Sequence, residues 1–163
     1  MATIDRRYSR SEEAIKSSLI KLLQRKRLAE ISLNELVESA DINRSTFYLH
    51  YQSIGQAFES LEDLFITSWQ RLSLDEAPTI PRRFIAAFKS DKKLGAAVLL
   101  NFRLESIEKL IGAYQSLSSF YPKKDELSLF AEFGSCLSVL GRWVQGKCKG
   151  REDRVLSALE KEM

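Results

Sequence analysis

Residues 32–51 read SLNELVESADINRSTFYLHY, and this stretch decides the fold that the sequence predicts. Ser32 and Glu35 have the spacing of a capping box, the signal that opens a helix. Segment 41–43, Asp-Ile-Asn, ends that helix because Asp and Asn tolerate left-handed backbone and favour turns. Asn43 is then the N-cap of a second helix, from Arg44 to about Tyr51, with Phe47 facing inward. Two short helices joined by such a turn form a helix-turn-helix.

The second predicted helix carries residue types that suit a DNA duplex. The major groove admits one helix, in which Arg44 can pair with guanine and Thr46 can offer a methyl group to thymine. No acidic residue lies between Asn43 and Tyr51, as a surface that meets phosphates requires. A solvated cation, half-buried packing tyrosines and an ordinary surface histidine are the alternative interpretations. The candidate DNA-binding residues are Ser32, Asn34, Arg44, Ser45, Thr46, Tyr48, His50 and Tyr51.

Helical periodicity covers the rest of the chain. Ser9 and Glu12 form a capping box that predicts the start of a first helix, which ends near residues 25–27. Ser53 and Gln56 open a long helix with apolar residues at steps of three and four, Leu64 among them. A loop at 75–81 follows, with Pro81 as a first helical residue. Further helices are predicted at 82–90, 92–100, 102–118, 125–146 and 151–162. The helix at 102–118 has Leu104 in its apolar stripe and is closed by Tyr121-Pro122.

Composition excludes several classes of protein. With 7 Gly and 3 Pro in 163 residues, a fold of many turns is disfavoured and long helices are favoured. No apolar run is long enough to cross a membrane, the polar N-terminus is no signal peptide, and two cysteines suit incidental thiols of a cytoplasmic protein. One histidine and the lack of phosphate-loop, dinucleotide or CxxC motifs give no reason to expect an enzyme, a metal or a cofactor.

Positive charge is concentrated at the N-terminal end. Residues 1–27 carry eight Lys or Arg and three acidic residues, whereas the remainder is close to neutral. Such a basic end on a balanced body indicates a polyanionic partner or, equally, a solvated helix face.

The stretch 32–51 resembles the DNA-binding segment of TetR-family transcriptional regulators. The resemblance rests on Ala40 before the turn, Ile42 within it, the sequence Thr-Phe-Tyr at 46–48, and His50 with Tyr51. It covers roughly residues 8–66. Near the C-terminus, a Gly, an apolar run and Trp143 are similar to the penultimate helix of a subgroup of short members of the family. It implies an all-α fold, with a DNA-binding domain at 8–68 (helix-turn-helix about 32–51) and a C-terminal helical domain for dimerisation and effector binding at 69–163.

Two positions depart from the family pattern. Asp41 stands where the turn usually begins with Gly. Ile54 stands where the family usually has a phosphate-binding Lys at the start of the fourth helix, so one phosphate contact is lost and DNA affinity is lowered. Gly55 in the same turn also costs up to about 1 kcal/mol relative to Ala.

Small residues in helix 125–146 suggest a homodimer interface. They recur at steps of three, one, three and three residues, so they form one stripe along the helix. Such a stripe would let a partner helix approach closely, and two chains could then build a four-helix bundle. Packing within one chain is the alternative. The predicted interface residues are Ala131, Gly134, Ser135, Ser138, Gly141, Val155, Leu156 and Leu159.

An aromatic C-terminal interior leaves room for two interpretations. It either forms an apolar pocket for a small-molecule inducer or is simply core. The pocket residues would be Phe65, Trp69, Phe88, Phe102 and Tyr114. Together these features predict a homodimeric, sequence-specific DNA-binding regulator, a repressor, with double-stranded DNA, its own copy and an inducer as partners. The alternative is a TetR-like coregulator that acts through protein partners with weakened DNA contacts.

Overall fold

The structure, a computed structural model, describes residues 2–73, 75–117, 124–148 and 150–161. Every regular element in these ranges is a helix, as the sequence predicts. The elements are α1 (Ala2–Leu23), a short 3-10 turn (Leu28–Glu30), α2 (Leu33–Ser39), α3 (Arg44–His50), α4 (Ile54–Gln70), α5 (Ile80–Ser90), α6 (Lys92–Leu100), α7 (Leu104–Ser116), α8 (Glu126–Val144) and α9 (Glu152–Lys161). They divide into two compact units, Met1–Asp63 and Leu64–Met163, whose boundary falls within α4.

The N-terminal unit is a small helical cluster in which α1 packs against α2 and α3. Its core consists of aliphatic and aromatic side chains that recur at helical spacing, which is why each helix buries one side only. The fully buried members are Ile15, Leu19, Leu36, Phe47, Phe58 and Leu61.

The predicted start of α1 is wrong. The helix begins at Ala2, so Ser9 lies inside it and does not cap it. Ser11 behaves as a serine in a helix interior, because its hydroxyl lies 3.0 Å from the carbonyl of Arg7 and 2.9 Å from that of Tyr8. Residues 2–8 contain neither Gly nor Pro, so nothing before the serine stops the helix.

The C-terminal unit is built around α8, which packs against α5, α6, α7 and α9. Thr79 precedes α5, and Pro81 lies in its first turn, as predicted. Asp125 caps α8 by accepting from the amide of Ser128 at 3.0 Å. The predicted helix ends agree with the structure to within a few residues, and the predicted Tyr121-Pro122 end of α7 lies outside the described residues. Leu64 and Leu104, predicted in apolar stripes, are exposed.

The interior of the C-terminal unit is a cluster of aromatic rings in contact. Phe133 is the centre of the cluster, with ring centroids 6.0 Å from Trp69, 5.9 Å from Phe84 and 6.2 Å from Tyr114. Arg83 is buried beside it, with its guanidinium 5.2 Å from the centre of the Trp69 ring. Its Nη atoms donate to the carbonyls of Trp69 and Leu72, both at 2.8 Å, so Arg83 caps the end of α4.

Candidate nucleic-acid interface

The turn between α2 and α3 is fixed by two caps. Asp41 has a φ of 53°, the left-handed conformation that ends a helix. The amides of Asp41 and Ile42 donate to the carbonyls of Glu38 and Val37 at 3.2 and 3.0 Å, the hydrogen-bond pattern of a Schellman motif. Asp tolerates this conformation better than most residues, so it replaces the usual Gly at modest cost.

Asn43 begins α3. Its Oδ1 accepts from the amide of Thr46 at 2.7 Å and from the hydroxyl of Ser45 at 2.6 Å. Ser32 caps α2 in the same way, accepting from the amide of Glu35 at 3.2 Å. Both predicted caps of the helix-turn-helix are therefore confirmed, and the first residue of α3 is fixed as Arg44.

One side of α3 is packed and the other is open. Phe47 is fully buried, while Tyr48 is 57% and Leu49 is 72% exposed. Arg44 and Ser45 are exposed as well, and residues four apart in a helix share a side, so these four side chains form one surface. We call Arg44, Ser45, Tyr48 and Leu49 the outer face of α3. Thr46 is half-buried at its edge.

Arg44 is held in position by α2. Its Nε donates to Oδ1 of Asn34 at 2.9 Å, and one of its terminal amino groups donates to the same oxygen. The guanidinium is planar and carries further N–H donors, so this anchor leaves a fork that can still bind guanine or phosphate. Asn34 therefore acts as a support for Arg44, and both side chains are exposed.

Tyr51 lies inside the unit, so its predicted place on the DNA surface is wrong. It is only 6% exposed. Its hydroxyl lies 3.2 Å from Oε1 of Glu12 and 3.2 Å from Oγ of Ser60. Burial raises the pKa of Tyr51. Glu12 in turn accepts from Lys16 at 2.6 Å, a hydrogen bond that lowers the pKa of Glu12. Tyr51 therefore joins α3 to α1 and α4.

His50 is half-buried and also faces α1. Its Nε2 lies 2.7 Å from Oγ of Ser11, and its ring lies 4.0 Å from that of Tyr8. Its Nδ1 is buried and has no hydrogen-bond partner among the described residues. Because a proton on Nδ1 would find neither water nor an acceptor, burial lowers the pKa of His50.

Leu49 is the member of the outer face that the sequence interpretation missed. A Leu next to two polar aromatic residues is usually assigned to the core. The signal that could have found it is its spacing of four residues from Ser45, which places both on the side opposite Phe47.

The start of α4 offers no cation. Ser53 accepts from the amide of Gln56 at 3.1 Å, as its predicted cap requires, and Gln56 reaches back to the amide of Gln52 at 2.6 Å. Ile54 is the first residue of the helix and is half-buried. An aliphatic side chain at this position has no group that can bind a phosphate.

The predicted dimer residues fall into two groups. Ala131, Ser135 and Ser138 are exposed and Gly134 is half-buried, and all four line a groove of about 1070 Å³ on α8 and α9. The other predicted residues are buried within the chain: Gly141, Val155, Leu156 and Leu159, of which Leu159 also lines the groove.

Gly141 is buried because α6 lies against it. A Cβ atom at this position would lie 3.1 Å from the carbonyl oxygen of Leu99. Val155 and Leu156 are buried in α9, which packs on α8 and α5. For these residues the alternative of packing within one chain is correct.

The predicted effector residues line neither the groove on α8 and α9 nor the smaller cavity beside Arg82 and Glu160. Phe65, Trp69 and Tyr114 are buried and contact other rings, and Phe88 stacks edge-on against Trp143 at 5.8 Å. Phe102 is half-buried. Phe65, Trp69 and Tyr114 are therefore part of the core, in which side chains pack closely, whereas Phe88 and Phe102 lie at its edge.

Cys136 is buried in α8, and burial raises the pKa of its thiol to about 12. It is therefore protonated and unreactive at neutral pH. Within the described ranges no group of His, Cys, Asp or Glu side chains has the arrangement of a metal site. None of the described helices combines the length and the apolar character that a membrane crossing demands.

Comparison with solved structures identifies the fold. The chain is similar to the crystal structure of a TetR transcriptional regulator from Streptococcus agalactiae 2603V, with a TM-score of 0.68 and 20% sequence identity. The similarity covers 98% of this chain and 97% of that one. This chain has the TetR regulator fold. No family model matches the sequence, and the search of curated proteins finds no relative. At this identity the similarity establishes the fold alone.

Proposed function

We propose that the protein is a sequence-specific DNA-binding transcriptional regulator whose outer face of α3 enters the major groove. The observation that carries the proposal is the exposed surface of Arg44, Ser45, Tyr48 and Leu49 on a helix fixed at its first residue by Asn43. A TetR-type fold supports it, because a helix-turn-helix presents its second helix to DNA.

Each residue of the outer face has a role that its chemistry suits. Arg44, supported by Asn34, pairs with guanine O6 and N7. Ser45 donates to or accepts from a base edge, and Leu49 contacts the methyl group of a thymine. Tyr48 donates its hydroxyl to a phosphate, which positions the helix without selecting a sequence. Ser32 and Thr46 complete the surface at its edges.

Selection of bound fragments from random DNA tests the proposal. The wild-type protein is expected to enrich one sequence made of two symmetric half-sites. Arg44→Ala is expected to relax the preference at one position in each half-site and to cost about 1–3 kcal/mol on the enriched sequence. Arg25→Ala, an exposed arginine beyond the end of α1, is the matched control and leaves the preference unchanged. A folded protein that enriches no sequence even at low salt contradicts the proposal.

We further propose that the regulator is a homodimer whose chains meet at the groove on α8 and α9. Small exposed side chains at Ala131, Ser135 and Ser138 permit close approach of a second helix, and Phe130 and Val139 add apolar surface to the same groove. Two half-sites also require two reading heads, because one helix contacts too few base pairs to be selective.

Sedimentation tests the dimer. Ser138→Arg is expected to halve the mass at micromolar concentration, because the two arginines would meet across the two-fold axis. Leu127→Arg changes an exposed residue of the same helix outside the groove and is expected to leave the mass unchanged. A wild-type monomer, or a Ser138→Arg protein that keeps the dimer mass, contradicts this part of the proposal.

A repressor role with release by an effector completes the proposed function. A dimer seated on its site excludes other proteins from it, and a small molecule that binds the C-terminal unit would change the population of the DNA-bound form. Because the rings around Phe133 are in contact, a molecule that binds between them would need an opened conformation. A reporter gene with the enriched site placed over its promoter is expected to be silenced by the protein.

A coregulator that binds protein partners is the second candidate. Ile54 at the start of α4 favours it, because the helix lacks a cation for a phosphate there. A folded dimer with no enriched DNA sequence would select this candidate.

A further inference from the structure

The N-terminal half of α1 carries three exposed arginines that the helix-turn-helix does not explain. Arg6 and Arg10 are four residues apart, and Arg7 and Arg10 are three apart, so the three lie on neighbouring parts of one surface. We call Arg6, Arg7 and Arg10 the basic face of α1. Arg6 and Arg7 belong to the seven residues, 2–8, by which the helix extends beyond its predicted start, and Arg10 follows one turn later.

The charges of the basic face are not paired with any side chain that the structure describes. Glu12, two residues after Arg10, is already committed to Lys16 and to the hydroxyl of Tyr51. Like charges three and four residues apart destabilise a helix by a few tenths of a kcal/mol, so this arrangement is stabilised when an anion binds. Glu13, also exposed, follows the basic face one turn further along.

Two contacts place the basic face beside the end of α3. The ring of Tyr8, next to Arg7, packs against that of His50 at a centroid distance of 4.0 Å, and Ser11, next to Arg10, is hydrogen-bonded to the same ring at 2.7 Å. His50 is the last residue of α3. Arg7 and Arg10 each lie one residue, or about 100° of helix rotation, from Tyr8 and Ser11, so both lie on the side of α1 next to its contact with the end of α3.

Phosphates line both edges of the major groove, so a helix seated in the groove has a phosphate strand beside each end. Arginine is suited to them because its planar fork binds phosphate oxygens in pairs. The start of α4 supplies no cation, since Ile54 stands there. Another cationic element close to α3 is then needed to hold the duplex.

We infer that the basic face of α1 binds phosphates of a DNA duplex that flank the contact made by α3. This inference rests on the proposed function and adds a second, sequence-independent contact to it. Together with Tyr48, the basic face supplies the nonspecific part of the affinity, while Arg44, Ser45 and Leu49 supply the preference for a sequence.

The salt dependence of binding tests the inference. The logarithm of the binding constant falls linearly with the logarithm of the salt concentration, and each lost phosphate contact makes this negative slope shallower by about 0.9. For binding to the sequence that the wild-type protein enriches, the double variant Arg6→Gln with Arg10→Gln is expected to have a slope that is shallower by about 1.8. The enriched sequence itself is expected to stay the same. The variant Arg6→Lys with Arg10→Lys keeps both charges and is expected to keep most of the slope.

The opposite end of α1 provides a matched control. Lys21, in the last turn of α1, and Arg25, just beyond it, are also exposed and also four residues apart. The double variant Lys21→Gln with Arg25→Gln therefore removes the same amount of charge, but away from the basic face. This control is expected to keep the slope within about 0.5. Circular dichroism of both variants shows that they are folded.

The outcomes separate the inference from the proposed function. If wild-type protein enriches a sequence but both double variants lower its slope equally, the effect is one of net charge and the inference is overturned. An unchanged slope in the Arg6 and Arg10 variant overturns it as well, and leaves the proposed function intact. If wild-type protein binds no DNA, both are wrong.

Discussion

Helices α3 and α8 each bury one side and expose the other, but their exposed sides differ in kind. The outer face of α3 carries long side chains with hydrogen-bonding tips, such as Arg44 and Tyr48. The exposed side of α8 carries short ones, such as Ala131, Ser135 and Ser138, along a groove. One surface suits a partner that supplies charge and hydrogen-bond acceptors, and the other suits a partner that needs close approach.

The buried sides differ as well. In α3 one residue, Phe47, is fully buried. Polar contacts of Arg44 with Asn34 and of Tyr51, the residue after the helix, with Glu12 complete the attachment. In α8 the buried side enters a cluster of contacting rings around Phe133. A short helix can therefore be held by caps and hydrogen bonds, which leaves its other side free of packing requirements, whereas a long central helix is held by apolar contact.

The largest expected effect lies on the buried side of α8. Phe133→Ala removes a fully buried ring and leaves a cavity, so it is expected to lower the free energy of unfolding by about 3–5 kcal/mol. Leu127→Ala in the same helix changes a side chain that is 83% exposed and is expected to change this free energy by less than about 0.5 kcal/mol. Urea unfolding followed by circular dichroism measures both. Similar losses in the two variants would mean that α8 is not held by its inner side.

The next effect concerns the point where α8 meets the backbone of α6. Gly141→Val is expected to lower the free energy of unfolding by about 1–3 kcal/mol, because the carbonyl of Leu99 would lie 3.1 Å from the added Cβ. Gly112→Val, in an open part of α7 with no atom within 4 Å of an added Cβ, is the matched control. It is expected to gain a few tenths of a kcal/mol from its better helix propensity. Equal effects at the two glycines would contradict the close approach of α6.

The caps could be predicted from the sequence because their signals are local. Ser32 accepts from the backbone amide of Glu35, and Asn43 from that of Thr46, three residues on in each case. A capping side chain meets that amide whenever a helix starts directly after it. The same kind of local signal failed at Ser9, because a cap pattern does not stop a helix whose preceding residues are themselves compatible with one.

Contacts between distant residues could not be predicted in this way. Tyr51 is buried because its hydroxyl meets Glu12, 39 residues earlier in the sequence. Gly141 belongs to a stripe of small residues, but about 80° of rotation separates it from Ala131 and turns it toward α6. Phe65, Trp69 and Tyr114 lie inside the C-terminal unit as predicted, but Phe88 and Phe102 are only half-buried. Whether rings enclose a pocket or fill it depends on how the helices of the unit are placed.

A smaller effect separates the two tyrosines of the α3 region. Tyr51→Phe removes a hydroxyl that is hydrogen-bonded within the core and is expected to lower the free energy of unfolding by about 0.5–1.5 kcal/mol. Tyr48→Phe changes the outer face and is expected to leave this free energy within about 0.5 kcal/mol of wild type. On DNA the order reverses, with Tyr48→Phe weakening binding to all sequences alike. Thermal unfolding with and without DNA measures both; a loss of stability in Tyr48→Phe would show that its side chain is not free.

The smallest effect is a pH dependence at the contact between α3 and α1. Burial lowers the pKa of His50 from its ordinary value of 6.5, so the unfolded chain takes up a proton before the folded one does. Glu12 acts in the opposite direction and Lys16 in the same direction as burial, and burial is the largest cause. The stability that neutral His50 provides is therefore complete above pH 6.5 and is lost as the pH falls through that value toward the lower pKa of the folded state. Because the chain contains one histidine, and the pKa of Glu12 is itself lowered, a decrease in the free energy of unfolding between about pH 7 and 5.5 reports on this ring. His50→Gln keeps a group that can donate to Ser11 and is expected to flatten the decrease, whereas a variant with the same slope as wild type would assign the pH dependence to another group.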